Sequence, residues 1–217
     1  MEWDLPKVVR LDSPIILDVG ANRGQTIDMM CRIFRNPRII AFEPSKKMFE
    51  ELENKKFEAE VSCYNMALGA EVGTREFHEY ENPLLSSALK LREEGGHPFQ
   101  NVREIALNRV EISTVDSTIS SLGLHRIDLL KIDTQGFDLQ VLQGSQKGFE
   151  RRTIRQVLVE LNFAELYEGQ AHPMEVHCFI ENHGLKLVDM YEKERIGMTL
   201  GWCTALYTLS RGESQDA

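Results

Sequence analysis

The sequence predicts a single α/β domain built on a mostly parallel sheet with helices on both faces. Three observations carry that expectation. Short apolar runs alternate with stretches of helical period along nearly the whole chain, the pattern of parallel strands joined by crossover helices. Most of the runs are apolar at consecutive positions, as strands buried on both faces must be. The 217 residues suit one large domain, and no linker, repeat or composition break divides them.

Pro14-Ile15-Ile16-Leu17-Asp18-Val19 is the first strand, and a turn starts at Gly20. Ile27, Met30, Cys31 and Phe34 then recur at i, i+3, i+4 and i+7, one face of a helix. Arg38 to Phe42 is a second strand, and Ser45 caps a helix whose inner face is Met48, Phe49 and Leu52. Glu60 to Ala67 is a third strand, followed by strand-like pieces at Thr74–Tyr80 and Arg103–Val115. Between those pieces Glu81 to Asn101 carries Pro83, Gly95, Gly96 and Pro98, which is loop chemistry. A polar loop this long is either a functional lid or a disordered insertion. Ile127–Ile132 is a strand, Asp138–Gln146 a helix, and Arg155–Leu161 a strand. Met174–Asn182 is a helix closed by Gly184. Leu185–Met190 and Trp202–Leu209 are the last strands, and their short link favours an antiparallel hairpin at the sheet edge. Ser210 to Ala217 is expected to fray, leaving a core of about residues 14–209.

Hydrophobic residues at 42% and charged residues at 27% exclude a disordered, collagen-like or coiled-coil protein. The balance of 25 Lys+Arg against 34 Asp+Glu, net −9, opposes a phosphate-tracking nucleic-acid groove and tolerates a cationic ligand. No apolar run approaches the ~18 residues of a membrane helix. Met1-Glu2-Trp3-Asp4 shows no signal-peptide pattern, so a cytoplasmic location is expected. Cys31, Cys63, Cys178 and Cys203 form no Cys-x-x-Cys pair, and each falls in an apolar stretch that suits a buried reduced thiol; no zinc site is expected.

In open α/β sheets the ligand sits beyond the carboxyl ends of the strands, and unusual residues gather there. After the first strand comes Asp18-Val19-Gly20-Ala21-Asn22-Arg23-Gly24-Gln25-Thr26, whose glycines allow a sharp turn close to a ligand. A dinucleotide fingerprint needs Gly-x-Gly-x-x-Gly, but Asn22 and Gln25 stand at its second and third glycines. Glu43, in Phe42-Glu43-Pro44, follows Gly20 by 23 residues, the spacing at which an acid meets ribose hydroxyls. Taken alone, it is a solvated strand-end acid; beside the glycine turn, it is a ribose ligand. Asn65-Met66-Ala67-Leu68-Gly69 offers small and apolar walls for an adenine slot, or simply core. Asp133, in Lys131-Ile132-Asp133-Thr134-Gln135-Gly136, emerges at the sheet's mouth or caps the next helix. Glu160-Leu161-Asn162 follows the fifth strand, with His172 in the next loop.

Those motifs, in that order and together with Val141-Leu142-x-Gly144, resemble the FkbM family of S-adenosylmethionine-dependent methyltransferases from about residue 14 to 209. The resemblance implies the class I methyltransferase (Rossmann-like) fold, a seven-stranded sheet with an antiparallel last strand. It implies O-methylation of a hydroxyl on a sugar or secondary metabolite, with a small-molecule or glycan acceptor and neither nucleic acid nor membrane as partner. Asp18, Gly20, Ala21, Asn22, Gly24 and Thr26 would cradle the methionine end of the cofactor. Glu43 and Pro44 would hold the ribose, Met66 and Ala67 flank the adenine, and Asp133 and Gln135 complete the site. A hydroxyl acceptor must lose a proton, so Asp133, Glu160 and His172 are candidate bases; His172 is equally an ordinary loop histidine. Many members carry Glu where this chain has Gln135, which cannot ionise and so can orient a ligand but not act as the base. Asp133, Glu160 and Asn162 form no dedicated metal cage, and no metal is expected. Ser86 and Ser87, near the start of the candidate lid, are candidate acceptor contacts. Two rival readings share this sheet: a nicotinamide-dependent oxidoreductase, and a cofactor-binding module without catalysis.

Overall fold

The computed structural model describes residues 1–94 and 97–209. In chain order the elements are α1 (Leu5–Val9), β1 (Ile15–Val19), α2 (Gln25–Ile33), β2 (Arg38–Phe42), α3 (Lys46–Glu53), β3 (Glu60–Tyr64), β4 (Ala67–Leu68) and β5 (Gly73–Tyr80). A 3₁₀ turn (Pro83–Leu85) then leads to β6 (Glu104–Ser113), α4 (Val115–Ser121), β7 (Leu129–Ile132), α5 (Asp138–Gln143), α6 (Gln146–Glu150), β8 (Gln156–Asn162), α7 (Pro173–Asn182), β9 (Leu185–Ile196) and β10 (Thr199–Leu209).

The main sheet has seven strands in the order β3-β2-β1-β7-β8-β10-β9. From β3 to β8 every pairing is parallel, and β10 is antiparallel to both neighbours. The expected hairpin therefore forms, but its second strand is not at the edge. The crossover through α7 sets β9 down one place away from β8, and β10 turns back at Gly197-Met198 to fill the gap. Both strands are longer than their apolar segments suggest, because β9 is the sheet's edge and is largely exposed.

Each face of the sheet carries its own core. One is built on Ile16, Ile27, Met30, Phe34, Ile39, Leu52, Leu129, Leu158 and Leu206, joined by Leu5 and Val9 of α1. The other packs Leu17, Leu130, Val157 and Val159 against Val141, Leu142, Phe149, Val176 and Ile180. The face expected for α2 is the buried one, although Cys31 is only half-buried; of the four thiols expected to be buried only Cys203 is, with Cys63 half-buried and Cys178 exposed on α7. Ser45 caps α3, its hydroxyl accepting the Met48 N–H.

Several expected boundaries move. The third strand breaks after Tyr64, and Ala67–Leu68 joins a separate sheet of order β4-β6-β5. The helix expected over 138–146 is two helices, interrupted where the Gly144 backbone meets the Gly69 carbonyl so closely that a Cβ would lie 2.0 Å from it. Residues 81–94 are not a loose insertion. Leu85, Ala88, Leu89 and Leu91 are buried, and Ser87 and Leu91 form bridges with His78 and Tyr167. Gly95, Gly96 and the segment 210–217 lie outside the described residues. Among those described, no helix is long and apolar enough to cross a membrane.

Candidate active site

The parallel strands bring the ends of β1, β2 and β7 to one edge, where the chain turns sharply. At Gly20, φ is +79° and an added Cβ would stand 2.0 Å from the Asp133 carbonyl oxygen, so only glycine fits without shifting β7. The Gly20 and Ala21 N–H groups both donate to the Phe42 carbonyl at 3.0 Å, tying the turn to β2. The next N–H, that of Asn22, donates to Glu43 Oε2 at 2.8 Å, and the Ser45 N–H donates to Oε1 at 2.8 Å. Each oxygen of this carboxylate thus keeps a lone pair for a further donor. Glu43 is only 5% exposed, and burial raises it from 4.5 to about 7 against the pull of those N–H groups and Lys131.

Behind the turn lies a buried charge pair. Lys131 Nζ is 2.9 Å from Asp18 Oδ1, donates to the Gly20 carbonyl at 2.8 Å, and lies 3.8 Å from Asp133 Oδ2. Burial alone would lower the Lys131 ammonium, but Asp18, Asp133 and Glu43 outweigh it and hold the group above its ordinary value. The approach of Lys131 to Asp18 is an ion pair poorly aligned for hydrogen bonding. Both Asp18 oxygens lack a hydrogen-bond donor among the described residues.

The turn after β7 carries the remaining polar groups. Gln135 Nε2 donates to Asp133 Oδ1 at 2.7 Å and reaches Glu160 Oε2 at 3.4 Å. The Glu160 carboxyl also accepts from Asn162 Nδ2 at 3.0 Å. Burial, then the charges of Asp133 and Asp138, pushes Glu160 well above the usual carboxylate range. Asp138, at the start of α5, accepts from the Thr134 N–H and hydroxyl and from the Gly136 N–H. Burial raises it to about 6.

These elements enclose a cleft of about 640 Å³, counted out to its mouth with open solvent included. One end is polar, with Gly20, Asn22, Glu43, Asp133 and Gln135; the other is apolar, with Met66, Ala67, Leu68, Phe77 and Phe137. Pro44 and Ser86 also line it, as do Pro83, Leu84 and Ala88 of the expected lid. The lid segment is anchored there by Asn22 Nδ2, which donates to the Pro83 carbonyl at 3.2 Å. A smaller recess beside Asp133 is lined by Thr26, Lys131, Glu160, Glu192 and Thr204.

The cleft thus gathers Gly20, Asn22, Glu43, Pro44, Met66, Ala67, Ser86, Asp133 and Gln135, whereas other expected residues stand apart. Asp18 and Ala21 are buried beneath the turn. Gly24 starts α2 against Phe57 and Leu52, and Thr26 and Glu160 face the smaller recess. Ser87 is 1% exposed and donates to the Gln135 carbonyl at 2.8 Å, which makes it a brace rather than an acceptor contact. His172 is not in the cleft: it is the N-cap of α7, its Nδ1 accepting the Met174 N–H at 3.2 Å while Glu175 accepts the His172 N–H. Pro83, Leu84 and Ala88 fall within the expected lid, and the sequence reading missed Phe77 and Phe137. Of these only Phe137, directly after the Asp133–Gly136 motif, carried a local signal.

Known proteins share this architecture. The methyltransferase FkbM domain family matches residues 18–187. The 2-O-methyltransferase NoeI of Sinorhizobium fredii is 26% identical over 164 residues, covering 72% of this chain and 67% of NoeI. Methyltransferase sdnD of Sordaria araneosa is 28% identical over 200 residues, 81% of this chain and 74% of sdnD. The AMB antimetabolite synthetase AmbE of Pseudomonas aeruginosa matches 68% of this chain at 27% identity, but the match spans only 8% of AmbE. Among solved structures, precorrin-6y C5,15-methyltransferase from Geobacter metallireducens superposes with a TM-score of 0.50 at 11% identity, covering 97% of this chain and 86% of that one. Magnesium protoporphyrin IX methyltransferase from Synechocystis, solved with bound S-adenosylmethionine, gives 0.50 at 9% identity over 96% and 79%. At that identity the likeness shows the fold, a class I methyltransferase sheet. With 18–187 matched, the chain belongs to the FkbM family of methyltransferases, whose cofactor is S-adenosylmethionine.

Proposed function

We propose that the chain methylates a hydroxyl oxygen on a small-molecule or glycan acceptor. The observation that carries this reading is the placement of two different acids in one cleft. Glu43 is buried and held by backbone N–H groups, whereas the Asp133 side chain is 40% exposed at the wall.

The residues present fit the family's cofactor. Glu43 has a lone pair left on each oxygen, which suits the two hydroxyls of a ribose. Met66, Ala67, Leu68, Phe77 and Phe137 suit a flat base at the apolar end. At the other end, the bare Gly20 backbone suits the close approach of an amino-acid group. When bound there, the cofactor supplies a methyl group on a positively charged sulfur. The cleft acids Glu43 and Asp133 favour that charge at close range.

In this reading Asp133, whose side chain is exposed at the cleft wall, acts as the base. It would take the proton of an acceptor hydroxyl, and the bound cofactor would supply the methyl group that the oxygen receives. Most of the rate comes from holding the acceptor oxygen in line, a positioning task for the cleft walls. Pro83, Leu84, Ser86 and Ala88 cover that side of the cleft and exclude water. The similarity to NoeI, a 2-O-methyltransferase, favours oxygen as the receiving atom. The net charge of −9 favours an uncharged or cationic acceptor over a nucleic acid.

The test is transfer from methyl-labelled S-adenosylmethionine to a panel of glycosides and hydroxylated metabolites, with amines and activated carbons as controls. Label on hydroxyl acceptors, lost by about 10²-fold or more in Asp133→Asn, supports the reading. Label confined to nitrogen or carbon acceptors contradicts it.

A further inference from the structure

We propose that Gln135 is a positioning residue that assigns unlike roles to two neighbouring carboxyl groups. Its amide N–H₂ group donates a short hydrogen bond to Asp133, which faces the acceptor, and leaves Glu160 to accept its closer bond from Asn162. The inference deepens the hydroxyl-methylation reading and rests on it for its purpose, though not for its test.

The two ends of the Gln135 side chain are held by different partners. Nε2 is 2.7 Å from Asp133 Oδ1 but 3.4 Å from Glu160 Oε2, so the short, charge-assisted bond goes to Asp133. Oε1 accepts the Tyr167 hydroxyl at 3.1 Å. Tyr167 is fully buried, and burial followed by the charges of Glu160 and Asp133 keeps its hydroxyl protonated. A hydroxyl that keeps its proton acts here as a donor, so the carbonyl end of the amide turns to it and the N–H₂ end to the carboxyls. Glu160 accepts its closer hydrogen bond from Asn162 instead.

The backbone supports a purpose for this side chain. Gln135 sits at φ +55°, a left-handed conformation that disfavours a residue with a Cβ, and Gly136 follows at φ +87°. Ser87 Oγ braces the strained turn through the Thr134 and Gln135 carbonyls at 3.2 and 2.8 Å. Glycine would suit position 135 better if only the turn mattered. Tyr167 also ties the amide to the segment over the cleft, because the same hydroxyl lies 3.1 Å from the Leu85 carbonyl. One proton serves two acceptors, so the set of the amide is linked to the set of the covering segment.

Gln135→Gly separates the two roles, because it removes the amide while relieving the backbone. The experiment follows the side-chain carboxyl ¹³C signals of Asp133 and Glu160 against pH in the ligand-free protein, assigned through Asp133→Asn and Glu160→Gln. In Gln135→Gly the Asp133 titration midpoint rises by about one pH unit or more, a tenfold effect, while the protein stays folded. Tyr167→Phe, which frees the amide to turn, raises it by a smaller step. A purely structural role predicts a stabilised Gln135→Gly protein whose Asp133 titrates as in the parent, and that result overturns the assignment. The titration uses neither cofactor nor acceptor, so a failure of hydroxyl methylation is read separately.

Discussion

Replacing Glu43 by Gln makes the burial of this acid measurable. In the ligand-free protein its carboxyl is raised from 4.5 to about 7, chiefly by burial. An acid raised on folding contributes stability that is fully present below its unfolded value and is lost as pH rises through its folded value. For Glu43 the window runs from about pH 4.5 to about pH 7. Between pH 5 and pH 8 the loss works out at about 2.5 kcal/mol for this one group. Gln cannot ionise and is exempt. It does introduce a mismatch, because its N–H₂ end meets either the Asn22 or the Ser45 N–H, at about 1–3 kcal/mol. That penalty is independent of pH, and the titration of Asp138, raised to about 6, occurs in both proteins, so neither affects the comparison. Urea unfolding of parent and Glu43→Gln at pH 5 and pH 8 gives the four stabilities required. The variant should gain on the parent by about 2.5 kcal/mol across the interval. A difference that is the same at both pH values would refute the argument that this carboxyl is buried at an electrostatic cost.

Other outcomes follow from the same geometry. Ribose hydroxyls donating to Glu43 favour its ionised form, so S-adenosylhomocysteine should bind more tightly as pH rises through about 7 and should release a proton near that pH. Calorimetry in buffers of different ionisation heat measures this, and a proton count of zero contradicts it. Gly20→Ala places a Cβ 2.0 Å from the Asp133 carbonyl at a φ of +79°; strain and crowding together should cost about 2–5 kcal/mol in urea unfolding, and a loss below about 1 kcal/mol would show that the turn gives way. His172→Ala should lose about 1 kcal/mol with its helix cap and leave cofactor binding unchanged. Methyl transfer abolished without that stability loss would return His172 to the list of bases.

The parallel strands were legible because a strand buried on both faces is a continuous apolar run, as Ile39–Phe42 and Val157–Val159 are. The polar half of the cleft was legible for a related reason. Gly20, Glu43 and Asp133 each stand just beyond such a strand, where local order in the chain becomes position in space. Of the apolar half only Met66-Ala67-Leu68 was, since Phe77 and Leu84 reach the cleft only through a second sheet and the segment folded over it. The small sheet itself hides its pattern: β6 exposes Ile105 and Leu107 by more than half, so apolar residues there do not mark a buried face. At five residues α1 is too short to show a period, and α4 is rich in serine and β-branched residues that favour other conformations. His172 carried a readable signal that was passed over. His-Pro with Glu175 at the third helical position is the spacing of a capping box, which places the histidine at a helix start rather than in a catalytic loop.

The central claim is that this cleft holds S-adenosylmethionine with its ribose on Glu43. The most direct measurement is a calorimetric titration of the parent and of Glu43→Ala with S-adenosylhomocysteine at pH 8, with NADH as the competing ligand. The account predicts that the parent binds S-adenosylhomocysteine and not NADH, and that Glu43→Ala loses about 1.5–3 kcal/mol of binding, the scale of a hydrogen bond to a charged group. Equal affinity in the two proteins, or binding of NADH in place of S-adenosylhomocysteine, would contradict it.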